Sequence, residues 1–217
     1  PQNPHGSLNP VFNVGEQIAE AICLIFHERP AKVKATVLEL LLKTGFDEPD
    51  KVANMFPHQL SGGMAQRVLL SIGLAGAPKL VIADEPTKGL DDETATSCLS
   101  LLTTCFEDAA QLLITHDLKA AAFCDEAVIM YAGEIVEYGP ADRVLAEPTH
   151  PYTVGLISAQ PENGLYPIPG SSPGLSNIPK GCRFYPRCSR ADSCCGSNHP
   201  PLLAVGNRLV RCFYAGL

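Results

Sequence analysis

The chain has 217 residues, of which 46% are hydrophobic, and its formal net charge at pH 7 is −7. This length allows one large domain or a domain with an appendage, and the hydrophobic fraction excludes wholesale disorder. The acidic balance argues against a nucleic-acid-binding protein, which normally carries a basic face. No run of 18 apolar residues is present that would span a membrane.

Apolar residues at helical spacing predict helices, which cover residues 16–28, 31–43, 64–76, 93–108 and 118–124. Two short apolar runs, 79–84 and 111–115, are predicted as buried strands. The segments EAVIMY and EIVEYG flank Ala132-Gly133 and predict a hairpin. Because buried strands alternate with helices, we expect an α/β fold with a mostly parallel sheet.

The composition changes near residue 140. Eleven of the 19 prolines lie from residue 140 onward, and five of the nine cysteines lie in the last 36 residues. After about residue 160 the apolar periodicity gives way to Pro and Gly turns. The sequence therefore predicts a folded domain over 1–140, a helical connection over 141–160 and a loop-rich extension over 161–217.

Two carboxylates, Asp84 and Glu85, lie at the C-terminal end of the predicted strand 79–84, directly after its apolar residues LVIA. Ligands of open α/β sheets bind at the carboxyl ends of strands. Asp84 there could hold Mg²⁺, which prefers oxygen ligands, and Glu85 could accept a proton from an attacking water. Taken alone, the pair fits equally well with two solvated carboxylates at a strand end.

Two further motifs suggest phosphate binding. Ser61, Gly62 and Gly63 directly precede a predicted helix, whose exposed N–H groups and dipole favour an anion. The same three residues fit an ordinary capped helix. His116 follows the second predicted strand, where it could bond a γ-phosphate or serve a structural role.

In this order the motifs resemble those of the ATP-binding subunits of ATP-binding-cassette (ABC) transporters, over about residues 1–160. LSGGMAQR resembles the family signature, LVIADEPT the Walker B motif with its glutamate, Gly89-Leu90-Asp91 the D-loop, and His116 the switch histidine. Gln2 in PQNPHGSLNP resembles the Q-loop of the peptide-importer branch. The resemblance implies a P-loop NTPase-like ABC ATPase core with a helical subdomain over about residues 10–75.

The resemblance also implies roles for single residues. Two subunits would pack head to tail around ATP and Mg²⁺, and hydrolysis would drive the membrane subunits. Glu85 and His116 would be catalytic, and Asp84 and Gln2 would contact Mg²⁺. The other nucleotide-site residues would be Ser61, Gly62, Gly63 and Gln66 of the signature, and Asp91, which would couple the two sites.

The sequence departs from the family pattern in one respect. The phosphate-cradling Walker A loop, G-x-x-x-x-G-K-S/T, does not occur in these 217 residues. In the family it lies upstream of the Q-loop, so we expect this chain to be an incomplete subunit with negligible ATPase activity by itself. The alternative is a non-catalytic ABC remnant that contributes only the LSGG half-site. A smaller departure is Gly89 in place of the more usual Ala, which we expect to loosen that turn.

Four cysteines, Cys182, Cys188, Cys195 and Cys212, lie in a segment too poor in apolar residues to form a core alone. Disulfides, zinc, an iron–sulfur cluster and free thiols all remain open from spacing. GCRFYPRC after HPYTVGLISAQP resembles the C-terminal extension of oligopeptide and dipeptide importer ATPases. That resemblance implies a four-iron four-sulfur (4Fe-4S) cluster on these four cysteines.

The expected function is therefore ATP hydrolysis that powers import of di- or oligopeptides, at the cytoplasmic face of the cell membrane. The expected partners are a second ABC subunit, identical or not, two permease subunits and, indirectly, an extracytoplasmic substrate-binding protein; no nucleic acid is expected. A nickel or metal-chelate importer is the alternative within the class. A soluble ABC protein is the alternative outside it, although such proteins lack the HPYT extension.

Overall fold

The computed structural model describes residues 3–29, 32–174 and 176–216. The chain forms two compact units, Pro1–Ala120 and Ala121–Leu217. The division between them falls twenty residues before the compositional change at residue 140. The hairpin that follows Ala121 thus belongs to the same compact unit as the Pro- and Cys-rich extension.

The first unit is mostly helical. Its helices are α1 (Pro4–Ser7), α2 (Val14–Phe26), α3 (Lys34–Lys43), α4 (Pro49–Ala53), α5 (Gly62–Leu74), α6 (Asp92–Cys105) and α7 (Leu118–Ala121), the last of which ends at the division. The four long predicted helices are confirmed, with ends shifted by at most three residues. The predicted helix 118–124 ends at Ala121.

The core of the helical region lies between α2, α3, α4 and α5. Helix α2 begins with a capping box, in which Asn13 Oδ1 accepts the Glu16 N–H at 2.8 Å and Glu16 Oε2 accepts the Asn13 N–H at 2.9 Å. Apolar side chains from these helices form one buried cluster, which includes Val14, Ile18, Leu41, Ala65 and Val68. This region closes its apolar core with its own side chains.

Strands β1 (Leu80–Asp84) and β2 (Ala110–Ile114) form a parallel pair, in register from Leu80 opposite Ala110 to Asp84 opposite Ile114. The buried Ala83 joins a cluster with Leu70, Leu102 and Phe106. The opposite face consists of side chains that are 48–58% exposed, namely Leu80, Ile82, Leu112 and Ile114. The prediction of buried strands is therefore wrong for this face, because nothing among the described residues packs against it.

The second unit is built on an antiparallel sheet of order β3-β4-β6-β5. Its strands are β3 (Glu126–Tyr131), β4 (Glu134–Pro140), β5 (Leu203–Val205) and β6 (Arg208–Val210), and its helices are α8 (Ala141–Ala146), α9 (Pro151–Ser158) and α10 (Ser193–Ser197). The hairpin is confirmed. The expectation of a mostly parallel sheet holds only for β1 and β2, because the extension adds β5 and β6, each three residues long, to the hairpin.

A buried carboxylate joins distant segments of the second unit. Glu137 on β4 is fully buried and accepts the N–H groups of Thr149 and His150, each at 2.9 Å. Arg208 on β6 places Nη1 3.5 Å from Glu137 Oε1. His150 is buried in turn, and its Nδ1 accepts the Tyr152 N–H at 3.0 Å to cap α9; burial lowers the pKa of His150 to about 4.

Within the described residues, no helix combines the length and apolar character needed to cross a bilayer.

Candidate functional site

Glu85 occupies a strained position at the carboxyl end of β1. Its N–H donates to the Ile114 carbonyl at 2.8 Å, which extends the pairing of β1 with β2 by one residue. Its φ is +48°, in the left-handed region that residues with a Cβ rarely adopt. Such strain persists where the surrounding structure fixes it, and it is frequent at functional sites.

The Glu85 carboxylate meets the residues that follow β2. His116 Nδ1 lies 2.6 Å from Glu85 Oε1, and Thr115 Oγ1 lies 3.5 Å from Glu85 Oε2. Thr115 Oγ1 also accepts the Asp117 N–H at 3.0 Å, which holds the turn that carries His116. The carboxylate is mostly buried whereas the imidazole is mostly exposed, so the pair lies at the surface edge of the sheet.

The LSGG turn forms the N-terminus of α5. Ser61 is the N-cap, and its Oγ accepts the Met64 N–H at 3.2 Å. The turn lies against the residues that precede and open α6. A Cβ on Gly62 would be 3.6 Å from Leu90 Cδ2, and one on Gly63 would be only 2.9 Å from Thr94 Cγ2. Gly63 therefore lacks a side chain where α6 approaches the helix most closely.

The GLD turn leads into α6. Asp91 is the N-cap of α6, and its Oδ1 accepts the Thr94 N–H at 2.9 Å. This hydrogen bond and one from the Thr94 hydroxyl lower the pKa of Asp91. Gly89 has φ +78°, where glycine is favoured over alanine. A glycine thus suits the backbone of this turn.

The other residues predicted for the nucleotide site, Asp84, Gln66 and Gln2, do not all lie beside Glu85 and His116. Asp84 ends β1, where its backbone pairs with β2, and its exposed carboxylate makes no hydrogen bond or ion pair with another described side chain. A free carboxylate suits Mg²⁺, so the donor chemistry fits that ion. Gln66 is 5% exposed on α5 and lies inside the helical region. Gln2 lies outside the described residues.

In the second unit, four cysteines line one small cavity with a volume of about 20 Å³. They are the predicted set: Cys182, Cys188, Cys195 and Cys212. The segments that carry them are in close contact, because the Cys182 N–H donates to the Cys195 carbonyl at 2.8 Å. A Cβ on Gly181 would lie 2.3 Å from that carbonyl oxygen, so only glycine fits there. Cys194 is exposed and does not line the cavity.

The cavity suits a metal group in its donor atoms but not in its geometry. Over residues 3–29, 32–174 and 176–216, no three His, Cys, Asp or Glu side chains converge closely enough to hold a metal ion. The cavity offers about the room of one water molecule, which is too little for a four-iron cluster unless the side chains turn. Burial raises the pKa of the Cys182, Cys188 and Cys195 thiols, which favours neutral thiols there.

Two family models match the chain in succession. The model "ABC transporter" matches residues 2–88, and the model "Oligopeptide/dipeptide transporter, C-terminal region" matches residues 136–195. The oligopeptide transport ATP-binding protein AppD of Bacillus subtilis is 43% identical over 98% of this chain and 67% of the relative. This chain belongs to the ABC transporter ATP-binding proteins.

A second relative is also an oligopeptide transport protein. The oligopeptide transport ATP-binding protein OppD of Salmonella typhimurium is 41% identical over 98% of this chain and 66% of its own length. The chain thus spans about two thirds of the length of the curated relatives it matches.

Solved structures support the same assignment. The dimeric structure of MJ0796, a bacterial ABC transporter cassette, has a TM-score of 0.53 and 30% identity over 62% of this chain and 59% of that one. The structure of cbiO1 from Clostridium perfringens, part of the ABC transporter complex cbiONQ, has a TM-score of 0.59 over 73% of this chain and 61% of that one. At 24% identity, that second likeness concerns the fold alone.

Proposed function

We propose that this ABC protein hydrolyses ATP with Mg²⁺ to power the import of di- or oligopeptides. The observation that carries the proposal is the 2.6 Å contact of Glu85 with His116 at the ends of two adjacent parallel strands. The names of the relatives AppD and OppD, both oligopeptide transport ATP-binding proteins, support the peptide branch. These names do not favour the alternative of a nickel or metal-chelate importer.

In this proposal each site residue has a separate role in ATP binding or hydrolysis. Glu85 accepts the proton of the attacking water, and His116 holds Glu85 and contacts the terminal phosphate. Asp84 and Gln2 hold Mg²⁺, which supplies positive charge to the triphosphate. Asp91 joins the two half-sites. The partner's nucleotide is bound by Ser61, Gly62 and Gly63 of the LSGG turn. Gln66 is buried on α5, and its role at the nucleotide stays a prediction from the signature motif alone.

The proposed assembly contains two ABC subunits, identical or not, and two permease subunits at the cytoplasmic face of the membrane. A substrate-binding protein delivers the peptide to the permeases. We place the ABC ATPase domain at residues 1–140, with the helical subdomain at about 10–75. The connection over 141–160 and the extension over 161–217 follow it. The dimer of MJ0796 supports the pairing of two ABC subunits.

The test is Glu85→Gln in the importer assembled with its permeases. The amide keeps the size of the side chain but cannot accept the proton, so we expect turnover to fall about 10²–10⁴-fold with ATP binding unchanged. Glu93→Gln, on the exposed first turn of α6, is the matched control and should retain turnover. Unchanged turnover in Glu85→Gln would contradict the catalytic role and would favour the remnant that contributes only the LSGG half-site.

We further propose that Cys182, Cys188, Cys195 and Cys212 bind a 4Fe-4S cluster after their side chains turn outward, since the cavity of about 20 Å³ does not hold one as it stands. Supporting this, the four thiols line one cavity whereas the neighbouring Cys194 does not. Protein purified without oxygen should contain iron and acid-labile sulfide, retained in Cys194→Ser and lost in Cys195→Ser. If the protein contains zinc and no sulfide, the four cysteines form a zinc site and not a 4Fe-4S site. A folded, metal-free protein would contradict both sites.

A further inference from the structure

Helices α5 and α6 lie side by side and run in the same direction. Near the start of both, a Cβ on Gly63 would meet Thr94. One turn further, Arg67 Nη2 lies 3.4 Å from Ser97 Oγ. Near the ends of both, a Cβ on Gly73 would lie 3.3 Å from the Phe106 ring. Since the contacts advance together along both helices, their N-termini lie at the same end of the pair.

The two N-termini carry the LSGG and GLD turns, and Thr94 contacts both. Its methyl group fills the space into which a Gly63 side chain would project. Its hydroxyl donates to Asp91 Oδ2 at 2.7 Å, and its N–H donates to Asp91 Oδ1 at 2.9 Å. A single half-buried side chain thus joins the glycine of one turn to the aspartate of the other.

We infer that Thr94 is a positioning residue that couples the two ATP half-sites of this chain. The inference rests on the proposed function, in which the LSGG turn contacts the partner's nucleotide and Asp91 of the GLD turn joins the two half-sites. Because Thr94 holds Gly63 and Asp91 together, a movement of one turn displaces the other. Each subunit thereby senses whether both nucleotides are in place before turnover.

Arg67 supports this coupling at the next turn. Besides approaching Ser97, it donates from Nη1 to the Gly45 carbonyl at 3.1 Å, which ties α5 to the end of α3. Arg67 therefore links α6, through Ser97, to the segment that follows α3, one helical turn away from the LSGG and GLD turns. Nearer the turns, the contacts between them include Thr94 and the approach of Leu90 to the LSGG turn.

The experiment compares Thr94→Val, Thr94→Ser and Thr96→Val in the assembled importer. Valine keeps the shape of threonine and loses the hydroxyl bond to Asp91, whereas serine keeps that bond. Thr96 is the matched control, since its hydroxyl donates to the Asp92 carbonyl at 2.8 Å on an exposed face of the same helix. The readouts are kcat, KM and the Hill coefficient for ATP.

We expect Thr94→Val to lower kcat about tenfold with little change in KM, and to move the Hill coefficient towards one. Thr94→Ser should recover most of the kcat, and Thr96→Val should match the wild type. If Thr94→Val behaves as Thr96→Val does in an active importer, the inference is overturned while the proposed function stands. If the wild-type importer does not hydrolyse ATP, the proposed function itself fails.

A double variant tests the Gly63 side of the contact. Gly63→Ala places a methyl group 2.9 Å from Thr94 Cγ2, and Thr94→Ser removes the methyl that it meets. We expect Thr94→Ser to raise the turnover of Gly63→Ala several-fold, although it slightly lowers that of the wild type. If Thr94→Ser does not raise the turnover of Gly63→Ala, Gly63 acts on the nucleotide alone. The contact between Gly63 and Thr94 would then play no part in the coupling.

Discussion

The helical region and the β1–β2 sheet of the first unit differ in how completely their apolar surfaces are covered. Side chains such as Ile18, Leu41 and Val68 are fully buried between the helices. Ile82 and Leu112, by contrast, each expose about half of their surface. Parallel sheets are normally covered on both faces. The helices thus supply most of the stability of this unit, while the edge of a half-covered sheet carries Glu85 and His116.

The largest expected effect comes from a truncation in the helical core. Leu41→Ala removes apolar atoms from a fully buried position and leaves a cavity, so the free energy of unfolding should fall by about 3 kcal/mol. Urea unfolding followed by far-ultraviolet circular dichroism measures the change. Leu42→Ala is the control, because Leu42 is mostly exposed on the same helix. Equal losses in the two variants would contradict a core closed by the helices.

A smaller effect is expected at the start of α2. Asn13→Ala removes the acceptor for the Glu16 N–H, so the free energy of unfolding should fall by about 1 kcal/mol. Asn13→Ser keeps an oxygen that can cap the helix and should retain most of that stability. If serine and alanine are equally destabilising at this position in the same urea experiment, the cap does not stabilise the helical region.

The smallest effect is expected on the open face of the sheet. Ile82 is already more than half in contact with water, so Ile82→Ala should cost less than about 1 kcal/mol in this chain. Leu102→Ala, beneath the covered face, should cost several times more, since Leu102 is buried against α5 and β1. A loss for Ile82→Ala as large as that for Leu41→Ala would mean that the face is covered.

Much of this fold is predictable from the sequence because it depends on residues that are close to one another along the chain. Helical spacing, caps and the Ser61 turn fix α2, α3, α5 and α6 to within three residues. The meeting of Glu85 with His116 also follows from sequence, because the carboxyl ends of neighbouring parallel strands lie at one edge of the sheet. Strands β5 and β6 do not follow from it, since three residues are too few to show a period.

The contacts of Thr94 and Thr115 depend on packing that the sequence does not display. Thr94 meets Gly63 only because α5 and α6 lie side by side in one register, and Thr115 reaches Glu85 only across the two strands. The exposure of Ile82 is hidden for a similar reason. A continuous apolar run predicts a buried strand but does not tell whether both faces find neighbours. Gln66 likewise fits the signature by position, while the fold directs it inward.

Glu137 has a consequence for how the second unit comes apart. This carboxylate takes its hydrogen bonds from the turn before α9 and from Arg208 near the C-terminus. Removing the last strands would take away both the Arg208 cation and the pairing of β6 with β4 beside Glu137, and breaking such a buried pair is strongly unfavourable. The Pro- and Cys-rich end is therefore no detachable module: hairpin and extension should melt as a single cooperative body, and neither should be portable to another protein without the other.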